Sequence, residues 1–329
     1  MTECEELFND LKSLKVGVIG DVMLDTYIWG KVDRISPEAP VPVVSLDHKE
    51  QRIGGAGNVA INCASLGAKV FLLGIIGNDD EADQLEQLLK ENMIDTTGLA
   101  RSAKRTTTNK TRIISRNQQM LRFDAEITDD LNKDDEAVLL KQVSNFIELE
   151  DPNILIFEDY NKGVLTENVI EEAIELCRAS GVITAVDPKR KNFFSYKNAD
   201  IFKPNMKEVQ EGLHLLFESN DLYVLRNVHE QLQKLLQHRV SLITLSEKGI
   251  FYQHLQNAAI IPSHLRNVAD VSGAGDTVIA VAAMVYAVTK NAHLMAEIAN
   301  IAGGLVCEEV GTAAVDREKL LRECELLLS

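Results

Sequence analysis

Short apolar runs, each closed by a polar cluster, alternate with longer amphipathic stretches along most of the 329 residues. A run that is apolar throughout and too short for a helix reads as a strand buried on both faces. On that basis residues 16–20, 70–76, 154–158, 182–186, 201–202 and 240–245 are expected strands. Helices are expected at 81–92, 134–148 and 166–180, and one starts near Met206. Residues 278–288 form the longest apolar run, which reads as a buried core helix, and helices at 295–309 and 317–328 close the chain. Strand and helix in repeated alternation predict an α/β fold around a mostly parallel, doubly wound sheet.

Two segments break this rhythm. Between residues 26 and 53, Pro37, Pro40 and Pro42 exclude a continuous helix, and Val41, Val43, Val44 and Leu46 suggest a short edge strand. From Arg101 to Arg122 there are seven basic residues and no acidic one, with Thr106, Thr107, Thr108, Thr111, Ile113 and Ile114 favouring strand. Such a segment is either a solvated strand face or a lid carrying positive charge over an anionic substrate.

The charge balance sharpens that choice. With 34 basic against 50 acidic residues the net charge is −16, which argues against a nucleic-acid or anionic-membrane surface. An anionic ligand must then be held locally. The five cysteines, Cys4, Cys63, Cys177, Cys307 and Cys324, are scattered without metal-ligand spacing, as reduced thiols of a cytoplasmic protein would be. The acidic N-terminus is unlike a secretory signal, and the 278–288 run falls short of the ~20 residues that span a bilayer.

The chemistry concentrates at residues 270–277, where Gly273-Ala274-Gly275 turns into the apolar helix. Glycines let the backbone approach a ligand, and the first turn of a helix leaves amides free for an anion. Asp276 is out of place in a plain phosphate loop. Its carboxylate makes sense as the acceptor of a proton from an attacking hydroxyl, hence phosphoryl transfer to an alcohol. The blander alternative is an acid favoured by the helix dipole.

A second glycine-rich stretch, Gly54-Gly55-Ala56-Gly57-Asn58-Val59-Ala60, formally matches a dinucleotide fingerprint, with Asp79 about 20 residues on. Against that reading, the polar residues 47–52 separate it from any apolar strand. Alternatively these glycines let main chain approach a sugar ring, with Asn58 offering a donor and an acceptor. Polar residues stand at successive expected strand ends: Asp21 and Asp25, the 159–163 stretch, Asp187 and Lys189, residues 203–208, and Ser246 to Gly249. A single crevice at the carboxyl edge of the sheet would collect them. Lys162 and Lys189 are candidate phosphate contacts or merely solvated. Asn205 and Glu208, three apart, suit Mg²⁺ directly or through water, or else cap a helix.

Taken together, these motifs resemble the ribokinase-like (PfkB) carbohydrate kinases over essentially the whole chain. Gly54-Gly55-x-Gly57-Asn58-x-Ala60 is similar to the family's substrate motif, Asp270-x-x-Gly273-Ala274-Gly275-Asp276-Thr277 to its anion-hole and base motif, and Asn205-x-x-Glu208 to its metal and phosphate motif. Within the family, the stretches 20–25, 34–43, 111–119, 159–163 and 187–189 resemble the D-glycero-β-D-manno-heptose-7-phosphate 1-kinases of lipopolysaccharide precursor synthesis. The resemblance implies one ribokinase-like domain over 1–329, with a small β-strand lid at about 26–50 and 105–124, through which two copies pair. It implies a cytoplasmic enzyme using ATP and Mg²⁺, with no nucleic-acid or membrane partner. Relatives are often fused to an adenylyltransferase; no H-x-G-H signature is present, so a stand-alone or excised kinase is expected.

Site roles implied by the resemblance are as follows. Asp276 is the catalytic base, and the amides of Gly273, Ala274 and Gly275 are the anion hole. Asp21, Asp25, Gly54, Gly55, Asn58 and Asp187 meet the sugar, while Lys189, with Arg122 or Lys162, holds its 7-phosphate. Asn205, Ser246, Lys248, Gly249, Asp270 and Asn300 line the nucleotide, and Asn205 and Glu208 reach Mg²⁺.

Overall fold

The computed structural model describes residues 2–116, 118–215 and 221–328. Asn117, within one of the resemblance-bearing stretches, lies outside them. Helix α1 (Glu3–Asp10) precedes strand β1 (Lys15–Gly20). Two long strands, β2 (Val22–Ile35) and β3 (Pro42–Gly55), lead into α2 (Ala56–Ser65), β4 (Lys69–Ile76), α3 (Asp80–Glu91) and β5 (Ile94–Arg101). The antiparallel pair β6 (Thr108–Ser115) and β7 (Gln118–Ala125) follows. Next come α4 (Lys133–Glu150), β8 (Ile154–Glu158), α5 (Glu167–Ser180), β9 (Ile183–Asp187), β10 (Ile201–Phe202), α6 (Met206–Leu213) and α7 (Leu222–Leu236). Strands β11 (Val240–Thr244), β12 (Ile250–His254) and β13 (Asn257–Ile261) precede α8 (Ala274–Thr289), α9 (Ala292–Val306) and α10 (Arg317–Leu327).

Nine strands form the main sheet in the order β13-β12-β11-β10-β9-β8-β1-β4-β5. Pairing is parallel from β11 to β5, and β12 and β13 add an antiparallel edge. Because side chains alternate along a strand, both faces of this sheet must be covered. Val16 and Val18 of β1, Leu72 of β4 and Ile156 of β8 pack into one core with α1, α2, α3, α8, α9 and α10. Their neighbours Ile19, Phe71, Leu73 and Phe157 pack into a second core with α4, α5, α6 and α7. The α/β expectation and the buried α8 thus follow from the same rule. The order reverses at β1, whose neighbours are β8 and β4, and a crevice at that switch point is where such sheets bind ligands.

A separate four-stranded sheet, ordered β3-β2-β6-β7, is the lid. The structure corrects the expectation for residues 41–53. The short edge strand is in fact the long β3, which runs without interruption through the polar residues 47–52 to Gly55, paired with β2. Apolar runs mark strands buried on both faces, whereas much of β3 is exposed and is stabilised by its pairing with β2. Helices α1 and α7 and strand β5 were not anticipated. Among the described residues no helix is long and apolar enough to cross a membrane.

Candidate active site

Asp276 lies in the first turn of α8 and is 4% exposed. The helix starts at Gly273, a left-handed residue with φ 77°, and has no side-chain cap. Of the three expected anion-hole amides, Ala274 N–H already donates to Val271 O at 3.3 Å, a weak turn bond. A Cβ on Gly275 would meet only Lys203 Nζ at 3.6 Å and Asp187 Oδ2 at 3.8 Å, ordinary contacts. Packing against the protein therefore does not demand glycine there, but close approach of a ligand does.

Both oxygens of Asp276 are held. Asn58 Nδ2 donates to Oδ2 at 2.7 Å and Tyr160 O–H donates to Oδ1 at 2.8 Å. Burial raises its pKa to about 6 against the pull of these two bonds. Asn58 comes from the first turn of α2, which the lid strand β3 enters at Gly55. Gly55 has φ 59°, and a Cβ there would fall 2.3 Å from Asp21 O. One turn on, buried Asn62 donates to Asn58 O and accepts from Thr277 O–H at 3.0 Å, locking α2 to α8.

Asp21 caps β1 but accepts three backbone amides, Tyr160 at 2.8 Å, Lys162 at 3.0 Å and Val164 at 3.2 Å. It shapes the loop that delivers Tyr160. Asp25, on the lid strand β2, instead pairs with Arg112 at 2.5 Å, and a Cβ on Gly54 would fall 2.5 Å from its Oδ2. Tyr27 sits between Arg52 and Arg112, each 5.3 Å from its ring.

The three cations expected to hold a sugar phosphate all carry carboxylates already. Lys162 pairs with Glu126 at 2.8 Å and Arg122 with Asp124 at 3.0 Å. Lys189 bridges Asp187 and Glu208, at 3.1 Å each. Burial alone would lower the Lys189 pKa, but these acids outweigh it and raise it. Lys203, placed by the sequence among the strand-end residues but given no role, reaches Asp187 Oδ2 at 2.7 Å. Burial opposes ionisation of Asp187, yet Lys189 and Lys203 hold its pKa below the ordinary value.

Asn205 and Glu208 form a capping box at the start of α6: Asn205 Oδ1 accepts Glu208 N–H and Glu208 Oε2 accepts Asn205 N–H, both at 2.8 Å. The other oxygen, Glu208 Oε1, meets Lys189. Glu158, which ends β8, was overlooked although it immediately precedes Asp159. It is fully buried, and neither of its oxygens has a hydrogen-bond partner. Together with Asp187 and Asp276 it puts three carboxylates within 4.8 Å of one another, a donor set that fits a hard cation.

The remaining expected nucleotide residues are Asp270, Asn300, Ser246, Lys248 and Gly249. Asp270 accepts from Ser272 N–H and O–H and from Gly311 N–H at 2.9 Å, tying the turn before α8 to residues 308–313. Asn300 donates to Pro262 O at 2.8 Å. Ser246 and Lys248 are exposed in a 3-10 turn closed by Gly249. Leu265, Val268, Val271 and Val310 are exposed. Asp79 does not serve a dinucleotide: it caps α3 and accepts Thr107 N–H at 2.9 Å.

Residues 13–319 match the family described as pfkB family carbohydrate kinase. The bifunctional protein HldE of Syntrophotalea carbinolica is 38% identical over 97% of this chain, a match covering 64% of that protein. HldE of Methylobacillus flagellatus is 40% identical over 94% of this chain, covering 62% of its own length. The chain therefore spans less than two thirds of these relatives. Phosphofructokinase-2 from Escherichia coli in complex with potassium shares the fold with a TM-score of 0.79 at 18% identity, covering 96% of this chain and 100% of that one. Arabidopsis thaliana ribokinase complexed with ribose and ATP gives 0.72 at 16% identity, covering 94% and 99%. A ribokinase-like sheet, a strand lid entering the site at Gly55, and two glycine-rich turns meeting at Asp276 accord with the match, and the chain belongs to the pfkB family of carbohydrate kinases.

Proposed function

We propose that the protein phosphorylates O1 of D-glycero-β-D-manno-heptose 7-phosphate with ATP, giving the 1,7-bisphosphate used in ADP-heptose and lipopolysaccharide core synthesis. The observation that carries the transfer is Asp276, buried, oriented by two donors, and set beside the amides of a glycine turn. The sugar assignment is supported by the relatives named HldE and by the resemblance-bearing stretches.

Asp276 takes the O1 proton as O1 bonds to the γ-phosphorus; the bond to the bridging oxygen breaks and ADP leaves. Amides at the start of α8 stabilise the charge on the moving group. Glu208 and Asp187 are the residues that would hold Mg²⁺ with the nucleotide, where it would supply positive charge to the triphosphate. Lys189 lies beside both acids and 5.5 Å from the Tyr160 ring, which favours a role at the triphosphate rather than at the sugar's phosphate. Arg122 and Lys162 stay with the 7-phosphate, exchanging a carboxylate for it. Asp25, Asn58 and the Gly54–Gly55 backbone orient the hydroxyls. Segments 263–272 and 308–313, with their exposed Leu265, Val268 and Val310, receive the adenine.

Two copies pair through the lid, in the cytoplasm. On β6 and β7, Ile113 lies opposite Leu121 and Thr111 opposite Phe123, on the strand face away from Arg112 and Arg122; Leu121 and Phe123 are 55% and 51% exposed. The deciding assay is ATP turnover on the heptose 7-phosphate, fructose 6-phosphate and ribose. Turnover confined to the heptose phosphate and lost in Asp276→Asn supports the proposal. Preference for ribose would reassign the protein to a neutral sugar.

A further inference from the structure

Of the seven basic residues from Arg101 to Arg122, six pair with carboxylates, and Arg105 instead grips main chain. It lies in the short connection from β5 to β6, where the chain crosses from the main sheet into the lid, and is half-buried. Its Nη1 donates to Asp129 O at 2.7 Å, and its Nη2 donates to Ile127 O at 3.2 Å and to Lys162 O. Residues 127 and 129 belong to the return crossing, from β7 to α4. Lys162 belongs to the loop that follows β8 and carries Tyr160.

That loop is held from both sides. Asp21 accepts the amides of Tyr160, Lys162 and Val164, while Arg105 donates to the carbonyl of Lys162, so residue 162 is fixed at both of its main-chain groups. The return crossing presses on the same place: a Cβ on Gly163 would collide with Asp129 O, and Leu131 N–H donates to Gly163 O at 3.0 Å. The two grips support each other. Burial opposes ionisation of Asp21 and raises its pKa, and the positive charge of Arg105 acts against that shift. With both terminal nitrogens on carbonyls, Arg105 is engaged in holding main chain rather than in taking a phosphate. What the loop delivers is Tyr160 O–H, 2.8 Å from Asp276 Oδ1.

We propose that Arg105 is a positioning residue for phosphoryl transfer: from the junction of lid and main sheet it fixes the 160–164 loop, and thereby the hydroxyl that orients Asp276. This role rests on Asp276 acting as the base, and not on which sugar is phosphorylated. A reacting group displaced by ~1 Å can cost on the order of 100-fold in rate, so a loosened loop is read in kcat before it is read in nucleotide binding.

The test is a double-variant cycle on kcat at about pH 8, above the ionisation of Asp276. The substrates are Mg-ATP and whichever of heptose 7-phosphate, fructose 6-phosphate and ribose the wild type turns over. Arg105→Lys keeps the charge but cannot span three carbonyls. It is expected to lower kcat by about tenfold, with KM for ATP within about twofold of wild type. In the Tyr160→Phe protein, where the bond to Asp276 is already gone, the same change should lower kcat by less than about twofold. Arg105→Gln, which keeps a donor without the charge, is read by the same criteria should Arg105→Lys not fold. Unchanged kcat with only a lower melting temperature would make Arg105 plain scaffolding and overturn the proposal. So would an equal loss in both backgrounds, since the effect would then not run through Tyr160. Asp276→Asn separates the two claims: full turnover there refutes the base itself, whereas its loss with no Arg105 effect refutes only the positioning role.

Discussion

Asn58 Nδ2 donates to Asp276 Oδ2 at 2.7 Å, joining residues 218 apart in sequence. The bond brings the glycine turn that ends β3 and the turn that opens α8 onto one carboxylate, so a displacement of either turn changes how Asp276 is held.

The pH dependence of catalysis follows from this carboxylate. Burial lifts the Asp276 pKa to about 6, against the donors Asn58 and Tyr160. As a base it works only when ionised, so kcat/KM should fall as pH drops through about 6 and level off above it. Tyr160→Phe removes a bond that favours the charged form, and the acid limb should move to higher pH. A limb that stays put or moves down would show that another group controls the rate.

Lys189 and Arg122 are expected to separate the two substrates. Lys189→Ala should raise KM for ATP by about 10- to 100-fold, the worth of a hydrogen bond between charged groups, and affect the sugar phosphate less. Arg122→Ala should do the reverse. The opposite pattern in steady-state kinetics would return Lys189 to the sugar's phosphate.

Leu121 and Phe123 leave apolar area on the lid, and Arg122 between them faces the other way. Light scattering should give a dimer for wild type and a monomer for the Leu121→Asp, Phe123→Asp double variant. A double variant that stays dimeric would place the interface elsewhere.

Stability should be acid-sensitive for a reason remote from catalysis. His229 Nδ1 and His238 Nε2 share Ser241 Oγ at 2.9 and 2.6 Å, and burial lowers their pKa values to about 4 and about 3. Unfolded histidine titrates near ~6.5, so between there and about 4 the unfolded chain binds more protons. Stability is full above that window and is lost as pH falls through it. The urea midpoint should therefore drop between pH 6.5 and 4.5, and His238→Phe should flatten the slope. An equal slope in the variant would assign the loss to other groups.

The repeated apolar runs made the main sheet legible, because strands buried on both faces leave no polar alternation to confuse. Strand β3 was obscured for the opposite reason: Asp47 to Arg52 look like a loop until β2 is known to pair with them. Asp276 and the glycine turns could be found locally, since their chemistry is written in adjacent residues. The basic stretch from Arg101 to Arg122 could not be resolved from sequence, because most of its carboxylate partners lie outside it in the chain. Asp25 meets Arg112, Asp33 meets Arg116, Asp134 meets Lys104, and Glu126 meets Lys110. Arg105 instead donates to backbone carbonyls of residues 127, 129 and 162. Glu158 escaped notice because one glutamate at a strand end carries no pattern; only its burial beside Asp187 and Asp276 makes it unusual.

The central claim is phosphoryl transfer to O1 with Asp276 as the base, and phosphorus-31 magnetic resonance of the reaction mixture tests it most directly. With ATP, Mg²⁺ and the heptose 7-phosphate, a new phosphate ester coupled to the anomeric proton should grow in step with ADP, and Asp276→Asn should produce neither. ADP formed without that ester, an ester on another carbon, or full activity in Asp276→Asn would contradict the account.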